Sequence, residues 1–210
     1  MKTILFTLCF FSGMLSLNAQ NKGRFSVEIN YGLCGNFFVR SYEEITSLYN
    51  KSFYNKNFIG LIGGAELKYR LGAVSNIRLG YSRSVNDREI DYSSPTLVIT
   101  DFHIRHINHF FQLGFERSFS KKKPSLKYDV GLVYMRFNQQ EVDVSVFGAS
   151  FEERNFKTYR LEEGGVFVGL HYSKKIDTKF DIGIRSRLYY LISTNTFDTI
   201  TLTPTLTYHF

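Results

Sequence analysis

His171 and Ser173 are the residues whose types and spacing come nearest to a catalytic pair. They lie two positions apart, so on a β-strand both side chains would point to one face, where a histidine could activate a serine hydroxyl. That face also carries Gly165 and Gly169, and alternation predicts that it is the polar, inward-facing side of its strand. We therefore expect the pair to lie inside the fold, and we predict no catalytic residue.

Three histidines, His103, His106 and His109, repeat at intervals of three residues. Metal ligands on a common face of a strand need a spacing of two, because side chains three positions apart point in opposite directions. We therefore do not expect the three imidazoles to bind one metal ion. The sequence predicts neither a metal site nor a cofactor.

Acidic residues occur as two adjacent pairs, Glu152 with Glu153 and Glu162 with Glu163. Their spacing does not match that of a calcium-binding loop. We interpret them as solvated charge, and the alternative is a weak site for divalent cations or for lipopolysaccharide bridging. The sequence contains no phosphate-binding loop, zinc motif or nucleophile elbow.

The first 19 residues have the composition of a secretory signal peptide. Lys2 precedes an apolar run from Ile4 to Leu17, and small or short residues follow up to Ala19. The run is shorter than the roughly 20 residues that a membrane-spanning helix needs. Residues 20–210 contain no Pro- or Gly-rich linker, and we expect them to form one domain.

From Phe25 to Phe210, eight stretches of the chain alternate apolar with polar or small residues. The last stretch sets one apolar row against a row of threonines, Thr199, Thr201, Thr203, Thr205 and Thr207. Successive side chains of a strand point to opposite faces, so each face is chemically uniform. The pattern predicts an all-β fold, an eight-stranded antiparallel transmembrane β-barrel with up-and-down topology.

Alternation alone does not say which face is inside, because a soluble lipocalin-like barrel has the same period with its apolar face inward. Tyrosines lie on the apolar face toward the strand ends, as in the aromatic girdles of membrane barrels: Tyr31, Tyr69, Tyr81, Tyr128, Tyr134, Tyr172 and Tyr208. The polar face carries charges of both signs, which predict a charge network in a narrow lumen: Glu66, Arg70, Arg78, Glu116, Arg185 and Arg187. Such a lumen would not pass solutes.

On these residues the mature chain resembles, essentially end to end, small outer-membrane β-barrel proteins of the PorT-like and OmpX-like kind. The C-terminal residues Leu206, Tyr208 and Phe210 resemble the signal that the outer-membrane assembly machinery recognises. The usual glycine of that signal is missing, and Pro204 lacks a ladder donor, so we expect a bulge near Pro204. The resemblance implies the outer membrane of a Gram-negative bacterium, with outer-membrane lipid, lipopolysaccharide and the assembly machinery as partners.

The resemblance favours a non-enzymatic function, a structural or interaction role that includes an accessory role in secretion or envelope assembly. The alternative is an outer-leaflet lipid-modifying enzyme of the lipid A deacylase or acyltransferase type. A site of that kind would face the external rim, whereas His171 and Ser173 are predicted at the periplasmic end of the lumen. A soluble ligand-binding barrel is the third possibility.

The connections between strands are predicted to alternate in length. The short, periplasmic ones are residues 72–75, 118–125 and 173–179, and the long, external ones are 36–57, 83–105 and 138–164. In the first external loop, Ser41 and Glu44 have the spacing of a capping box, and its aromatic residues are interpreted as a plug over the barrel mouth, with a ligand-binding patch as the alternative.

The net charge of +7 is unevenly distributed. Its clearest clusters fall in predicted periplasmic turns: Lys121, Lys122, Lys123, Lys174 and Lys175. We interpret them as solvated turns, with contact to phospholipid head groups as the alternative. A basic turn is not a nucleic-acid footprint, and we predict no nucleic-acid partner.

Alternation continues in two places beyond the roughly 9 to 11 residues that a strand needs to cross a bilayer. Val142, Val144 and Val146 extend the fifth strand, and the fourth strand begins near Thr96. We therefore expect strands three to six to stand above the membrane as one β-fence. Its unpaired flanks would allow an envelope protein partner to bind by strand addition.

Overall fold

The structure, a computed structural model, describes the backbone of residues 23–37, 59–93, 98–120, 124–147 and 150–210. Side chains are described in 23–37, 59–87, 105–120, 124–138 and 162–210. The predicted signal peptide, the capping-box segment of the first loop and the three lysines at 121–123 lie outside the described residues. The side chains of His103, Glu152 and Glu153 lie outside them as well.

Eight antiparallel strands close into a barrel. They are β1 (Phe25–Asn36), β2 (Ile59–Arg70), β3 (Ser75–Ser93), β4 (Val98–Ser118), β5 (Leu126–Phe147), β6 (Ser150–Lys175), β7 (Phe180–Leu191) and β8 (Thr196–His209). Each strand pairs with the next along the chain, and β1 also pairs with β8. The predicted eight-stranded, up-and-down barrel is confirmed.

None of the residues that the structure describes belongs to a helix long and apolar enough to cross a membrane.

The barrel wall is apolar outside, and charged and polar side chains lie inside it. In β8 the threonine row is buried, while Leu202 on the opposite face is 48% exposed. In the lumen, the side chains of Arg78 and Arg185 are each only 2% exposed. This is the reverse of a soluble barrel, whose interior would be apolar, and it excludes the lipocalin-like alternative. The fold is that of a membrane β-barrel.

Pro204 lies at the seam where β8 meets β1. The expected bulge is absent there, because the register is the same on both sides: Asn30 pairs with Thr205 and Leu33 with Leu202. Pairing is instead interrupted between these two pairs. Gly32 lies opposite Thr203, next to Pro204, and a Cβ on Gly32 would lie 2.4 Å from the carbonyl oxygen of Leu202 and 3.1 Å from Cδ of Pro204. A glycine there lets β1 approach the proline closely, so the barrel closes without an inserted residue.

The strands differ greatly in length at one end of the barrel. β3 and β4 have 19 and 21 residues and β5 and β6 have 22 and 26, whereas β1, β2 and β7 have 12 each. The expected long loops 83–105 and 138–164 are therefore wrong as loops. Most of their residues are strand, because β3 extends to Ser93, β4 begins at Val98, β5 extends to Phe147 and β6 begins at Ser150.

The extended strands form two separate hairpins. In the described backbone, β4 and β5 pair only between His106↔Gln139 and Ser118↔Lys127. Beyond that level β3 pairs with β4 alone and β5 pairs with β6 alone. We term residues 86–105 the first arm and residues 140–158 the second arm. The prediction of one β-fence formed by strands three to six is therefore wrong. Above the barrel, β4 and β5 do not pair in the described backbone, and the sheet divides into two hairpins.

Candidate functional site

One half of the lumen, toward the short turns, is filled by charged side chains. These residues, here termed the charged layer, are Glu28, Glu66, Lys68, Arg78, Glu116, Asp129, His171, Arg185 and Arg187, none more than 4% exposed. They come from β1 through β7, and threonines of β8 complete the ring. Strand alternation places them inside, and the stagger of the barrel brings them to one level.

Arg78 lies at the centre of the charged layer. Its Nη1 donates to Glu116 Oε2 at 3.0 Å and to Asp129 Oδ2 at 2.7 Å. Its Nη2 donates to Glu28 Oε1 at 3.4 Å and also to Glu66 Oε2. One guanidinium thus contacts four carboxylates, a role for which its planar fork of five N–H donors is suited.

Arg185 and Arg187 support the same carboxylates from β7. Arg187 donates from Nη1 to Glu66 Oε1 at 2.6 Å and from Nη2 to Asp129 Oδ2 at 2.6 Å. Arg185 donates from Nη1 to Glu66 Oε1 at 3.1 Å and pairs with Glu28. These carboxylates are thereby shared among several cations, which compensates the cost of removing them from water.

Lys68 and His171 complete the ring of partners. Lys68 Nζ pairs with Glu28 and lies 3.8 Å from Glu116 Oε1. His171 contacts Glu116 Oε2 through Nδ1 at 3.0 Å and Thr205 Oγ1 through Nε2 at 3.1 Å. Four carboxylates thus face three guanidinium groups and one ammonium group, and the formal charges of the layer cancel around a histidine.

Five of the six residues predicted for the lumen network meet in this layer: Glu66, Arg78, Glu116, Arg185 and Arg187. Arg70 does not, because it ends β2 at the turn-side rim and is exposed. Sequence reasoning missed Glu28, Lys68, Asp129 and His171 as members. Each has the inward parity of its strand, which is the signal that could have identified it.

The other half of the lumen, toward the arms, contains a cluster of apolar side chains among buried polar ones such as Asn108 and Asp198. The apolar residues, here termed the apolar layer, are Cys34, Ile62, Phe110, Val133, Met135, Phe137, Phe167, Tyr189 and Leu191, none more than 3% exposed. The ring centroid of Tyr189 lies 5.0 Å from that of Phe110 and 5.8 Å from that of Phe167. A polar lumen was expected throughout, and this layer departs from that expectation.

The two layers meet without an open channel. Tyr189 donates its hydroxyl to Gln112 Oε1 at 3.3 Å, and Arg187 stacks 4.7 Å from the ring centroid of Phe167. The cavity between the layers has a volume of about 10 Å³, enough for about one water molecule. Within the described residues, the lumen is therefore packed rather than open.

The histidine and serine candidates that the structure describes lie on both faces of the barrel wall. His171 is fully buried in the charged layer, and Ser173 is buried on the same inner face. His106 is buried inside the barrel, while His109 contacts Tyr81 on the outer face, 2.8 Å from its hydroxyl. Among the side chains that the structure describes, no three histidines, cysteines or carboxylates are grouped as metal ligands would be.

The predicted assembly residues lie on the outer face of β8 and just beyond its end. Leu206 is 39% and Phe210 43% exposed, and the ring of Tyr208 lies 5.2 Å from that of Phe210 and 5.2 Å from that of Phe180. The backbone nitrogen of Phe210 donates to the carbonyl of Phe25 at 3.2 Å. The three side chains thus form a continuous apolar row beside the seam.

Two solved barrels share this architecture. Neisserial surface protein A is 13% identical, over 89% of this chain and 97% of that chain, with a TM-score of 0.50. Ail, the attachment invasion locus protein of Yersinia pestis, solved with the heparin analogue sucrose octasulfate, is 12% identical over 90% of this chain and 100% of that chain, with a TM-score of 0.51. Both are small eight-stranded outer-membrane barrels.

At this identity the likeness establishes the fold. No protein-family model and no curated protein sequence matches the chain.

Proposed function

We propose that this chain is an outer-membrane protein that acts by binding another envelope protein, as an accessory to secretion or envelope assembly. The observation that carries the proposal is the pair of arms standing beyond a packed barrel. A sealed lumen leaves no path for a solute, so function is assigned to surfaces outside the barrel. The resemblance to PorT-like and OmpX-like proteins remains a prediction.

The second arm offers the better edge for a partner strand. The register between β5 and β6 steps by one residue after Val142↔Phe156, because the next pair is Asp143↔Arg154 and Asn155 is extra. The bulge thus lies on β6 and leaves β5 regular. Residues 140–147 of β5 have no partner strand on the side toward β4 in the described backbone. A regular open edge is a template for strand addition.

Export and assembly form a further part of the proposal. The apolar outer wall fits a lipid environment, with lipopolysaccharide in contact with the end that carries the arms. Residues 1–19 would direct export. Leu206, Tyr208 and Phe210, exposed as one row beside the seam, would be read by the outer-membrane assembly machinery. Replacing Phe210 by Ser should lower the amount of heat-modifiable protein in the outer membrane, and an unchanged amount would contradict this role.

A lipid-modifying activity receives no support from the described side chains. His171 and Ser173 are buried in the lumen, where an acyl chain of the outer leaflet does not reach them. The mass spectrum of lipid A should therefore be the same in a deletion strain and in its parent. A gain or loss of an acyl chain would favour the enzymatic alternative.

The strand-addition proposal is tested by site-specific photocrosslinking in whole cells. A photoreactive residue replaces Val144 in the second arm, and the matched control replaces Val130, which lies on the lipid-facing wall of the same strand and is 42% exposed. We expect one discrete protein adduct from position 144 and none from position 130. Identical adducts from both positions, or none from either, would contradict the proposal.

Proline substitutions distinguish edge pairing from simple proximity. Adjacent N–H groups of a strand point to opposite sides, so one of the residues Val144 and Ser145 directs its N–H to the open edge. Val144→Pro and Ser145→Pro are made singly in a protein that carries the photoreactive residue at Val146. At least one of them should abolish the adduct while the barrel stays heat-modifiable. Retention of the adduct in both variants would argue against backbone pairing.

A further inference from the structure

A cavity of about 500 Å³ opens at the turn-side mouth of the barrel, opposite the arms. Its floor is the charged layer, represented by Lys68 and Glu116, and its walls are the inward-facing ends of the strands and the short turns. We term it the turn-side vestibule. Because the packed lumen closes its inner end, a molecule that enters the vestibule leaves through the same mouth.

Basic side chains outnumber acidic ones in the lining of the vestibule. Six are basic, namely Arg24, Lys68, Arg70, Lys127, Lys175 and Lys179, and two are acidic, namely Glu116 and Asp181. Both carboxylates are already paired. Glu116 binds Arg78 in the charged layer at 3.0 Å, and Asp181 Oδ2 lies 2.9 Å from His209 Nε2.

Four of the cations have no carboxylate within ion-pair distance in the part of the chain that the structure describes, namely Arg24, Arg70, Lys175 and Lys179. Six hydroxyls also line the vestibule. Ser118, Thr178 and Thr207 already donate to protein oxygens, and Ser26, Ser125 and Ser173 remain as further donors. The vestibule therefore has an excess of positive charge, and three serine hydroxyls lie beside the cations. The ligand that best complements such a lining is a compact, multiply charged anion.

We propose that the turn-side vestibule binds a small phosphorylated molecule from the aqueous phase on the turn side. Phosphate oxygens accept charge-assisted hydrogen bonds from lysine and arginine and further bonds from hydroxyls, which are the groups present. The volume is within the range of small-molecule sites. Lipid head groups are disfavoured as the source, because the lining faces the barrel axis and the outer wall separates it from the bilayer.

The test is isothermal titration calorimetry with inorganic tripolyphosphate on the full mature chain in non-ionic detergent. Lys175→Gln with Lys179→Gln removes two unpaired cations of the vestibule. The control, Arg117→Gln with Lys174→Gln, removes two exposed cations at the same end of the barrel that do not line the cavity. We expect the first variant to bind at least about tenfold more weakly and the control to bind within about twofold of the parent protein.

Added salt should weaken binding to the parent protein, because the attraction is electrostatic. Heat-modifiable gel mobility shows that each variant has folded. Equal weakening in the two double variants would overturn the proposal, since it indicates counterions of the surface, and so would absence of binding to the parent chain. Two further ligands are titrated separately: short-chain phosphatidic acid represents a lipid head group, and hexa-aspartate represents an acidic peptide. Binding of either one without binding of tripolyphosphate would overturn the assignment to a free phosphorylated molecule.

Discussion

The charged layer and the apolar layer fill the same lumen with opposite chemistry. Each contains nine side chains, and the members of both are at most 4% exposed. The apolar layer is held by packing, so each side chain contributes through the volume that it fills. In the charged layer, opposite charges offset one another's desolvation cost. Removal of one side chain therefore lowers the stability mainly by leaving its partners buried and unpaired. The side chains of the two layers are equally buried, yet we expect their substitution to change the free energy of unfolding by different amounts.

The largest effect is expected from Arg78→Met. The substitution keeps most of the side-chain volume but removes the guanidinium that contacts Glu28, Glu66, Glu116 and Asp129. We expect the free energy of unfolding in lipid vesicles to fall by about 3 to 5 kcal/mol, because buried carboxylates lose their central partner. The chain contains no tryptophan, so the transition is followed by heat-modifiable gel mobility and circular dichroism.

Arg70→Met is the matched control for Arg78→Met. Both residues have inward parity, but Arg70 is exposed at the rim and outside the layer. Its loss should cost less than about 0.5 kcal/mol. Similar costs for Arg70→Met and Arg78→Met would show that the layer is not held by compensation.

A somewhat smaller effect is expected in the apolar layer. Met135→Ala should lower the free energy of unfolding by about 2 to 4 kcal/mol, because it leaves a cavity among fully buried side chains. Met135→Leu, which nearly conserves volume, should cost less than about 1.5 kcal/mol. In the charged layer, by contrast, we expect even the conservative substitution Arg78→Lys to lower the free energy of unfolding, because an ammonium cannot reproduce the planar fork of a guanidinium. A costly Met135→Leu would remove this contrast between the layers.

The interaction between opposite charges of the charged layer can be measured directly by a double-mutant cycle. A double-mutant cycle of Arg187→Met and Asp129→Asn is expected to give a coupling free energy of roughly 1 to 3 kcal/mol, because each group is the other's partner at 2.6 Å. The same cycle between Arg187→Met and Met135→Ala, one in each layer, should be close to additive. Additivity within the charged pair would show that the two charges act independently.

The smallest effect is expected where the layers meet. Tyr189→Phe keeps the aromatic packing and removes only the hydroxyl that Tyr189 donates to Gln112. The expected loss is about 0.5 to 1.5 kcal/mol in the free energy of unfolding. We expect no conductance across a planar bilayer, either in this variant or in the parent protein. Stable ohmic channels would show that the two layers do not seal the lumen.

The sequence was sufficient for the barrel and for the face of each residue, but not for depth along the axis. The threonine row of β8 is inside, as alternation predicts. Which residues meet across the lumen depends on the stagger of the strands, which alternation does not contain. For that reason Arg70 was grouped with Arg78 although it lies at the rim, and Asp129 and His171 were not recognised as members of the charged layer.

The apolar layer and the division of the arms were missed for different reasons. Val133, Met135 and Phe137 have inward parity, yet apolar residues in a membrane barrel are normally assigned to the lipid face. The valines at 142, 144 and 146 indicated that β5 continues, and the structure confirms this. The point at which two neighbouring strands stop pairing produces no pattern in the sequence of either strand. The gap between β4 and β5 therefore had no sequence signal.

The charged layer also bears on how the barrel folds. Its members are distributed over β1 to β7, and Thr205 and Thr207 of β8 bind His171 and Glu28. A barrel that lacks one strand would turn unpaired charges toward hydrocarbon, so partly closed intermediates carry a penalty that vanishes only at closure. We therefore expect the layer to couple all eight strands of the closed barrel into a single cooperative unit. Loss of structure should occur in one sharp transition rather than strand by strand.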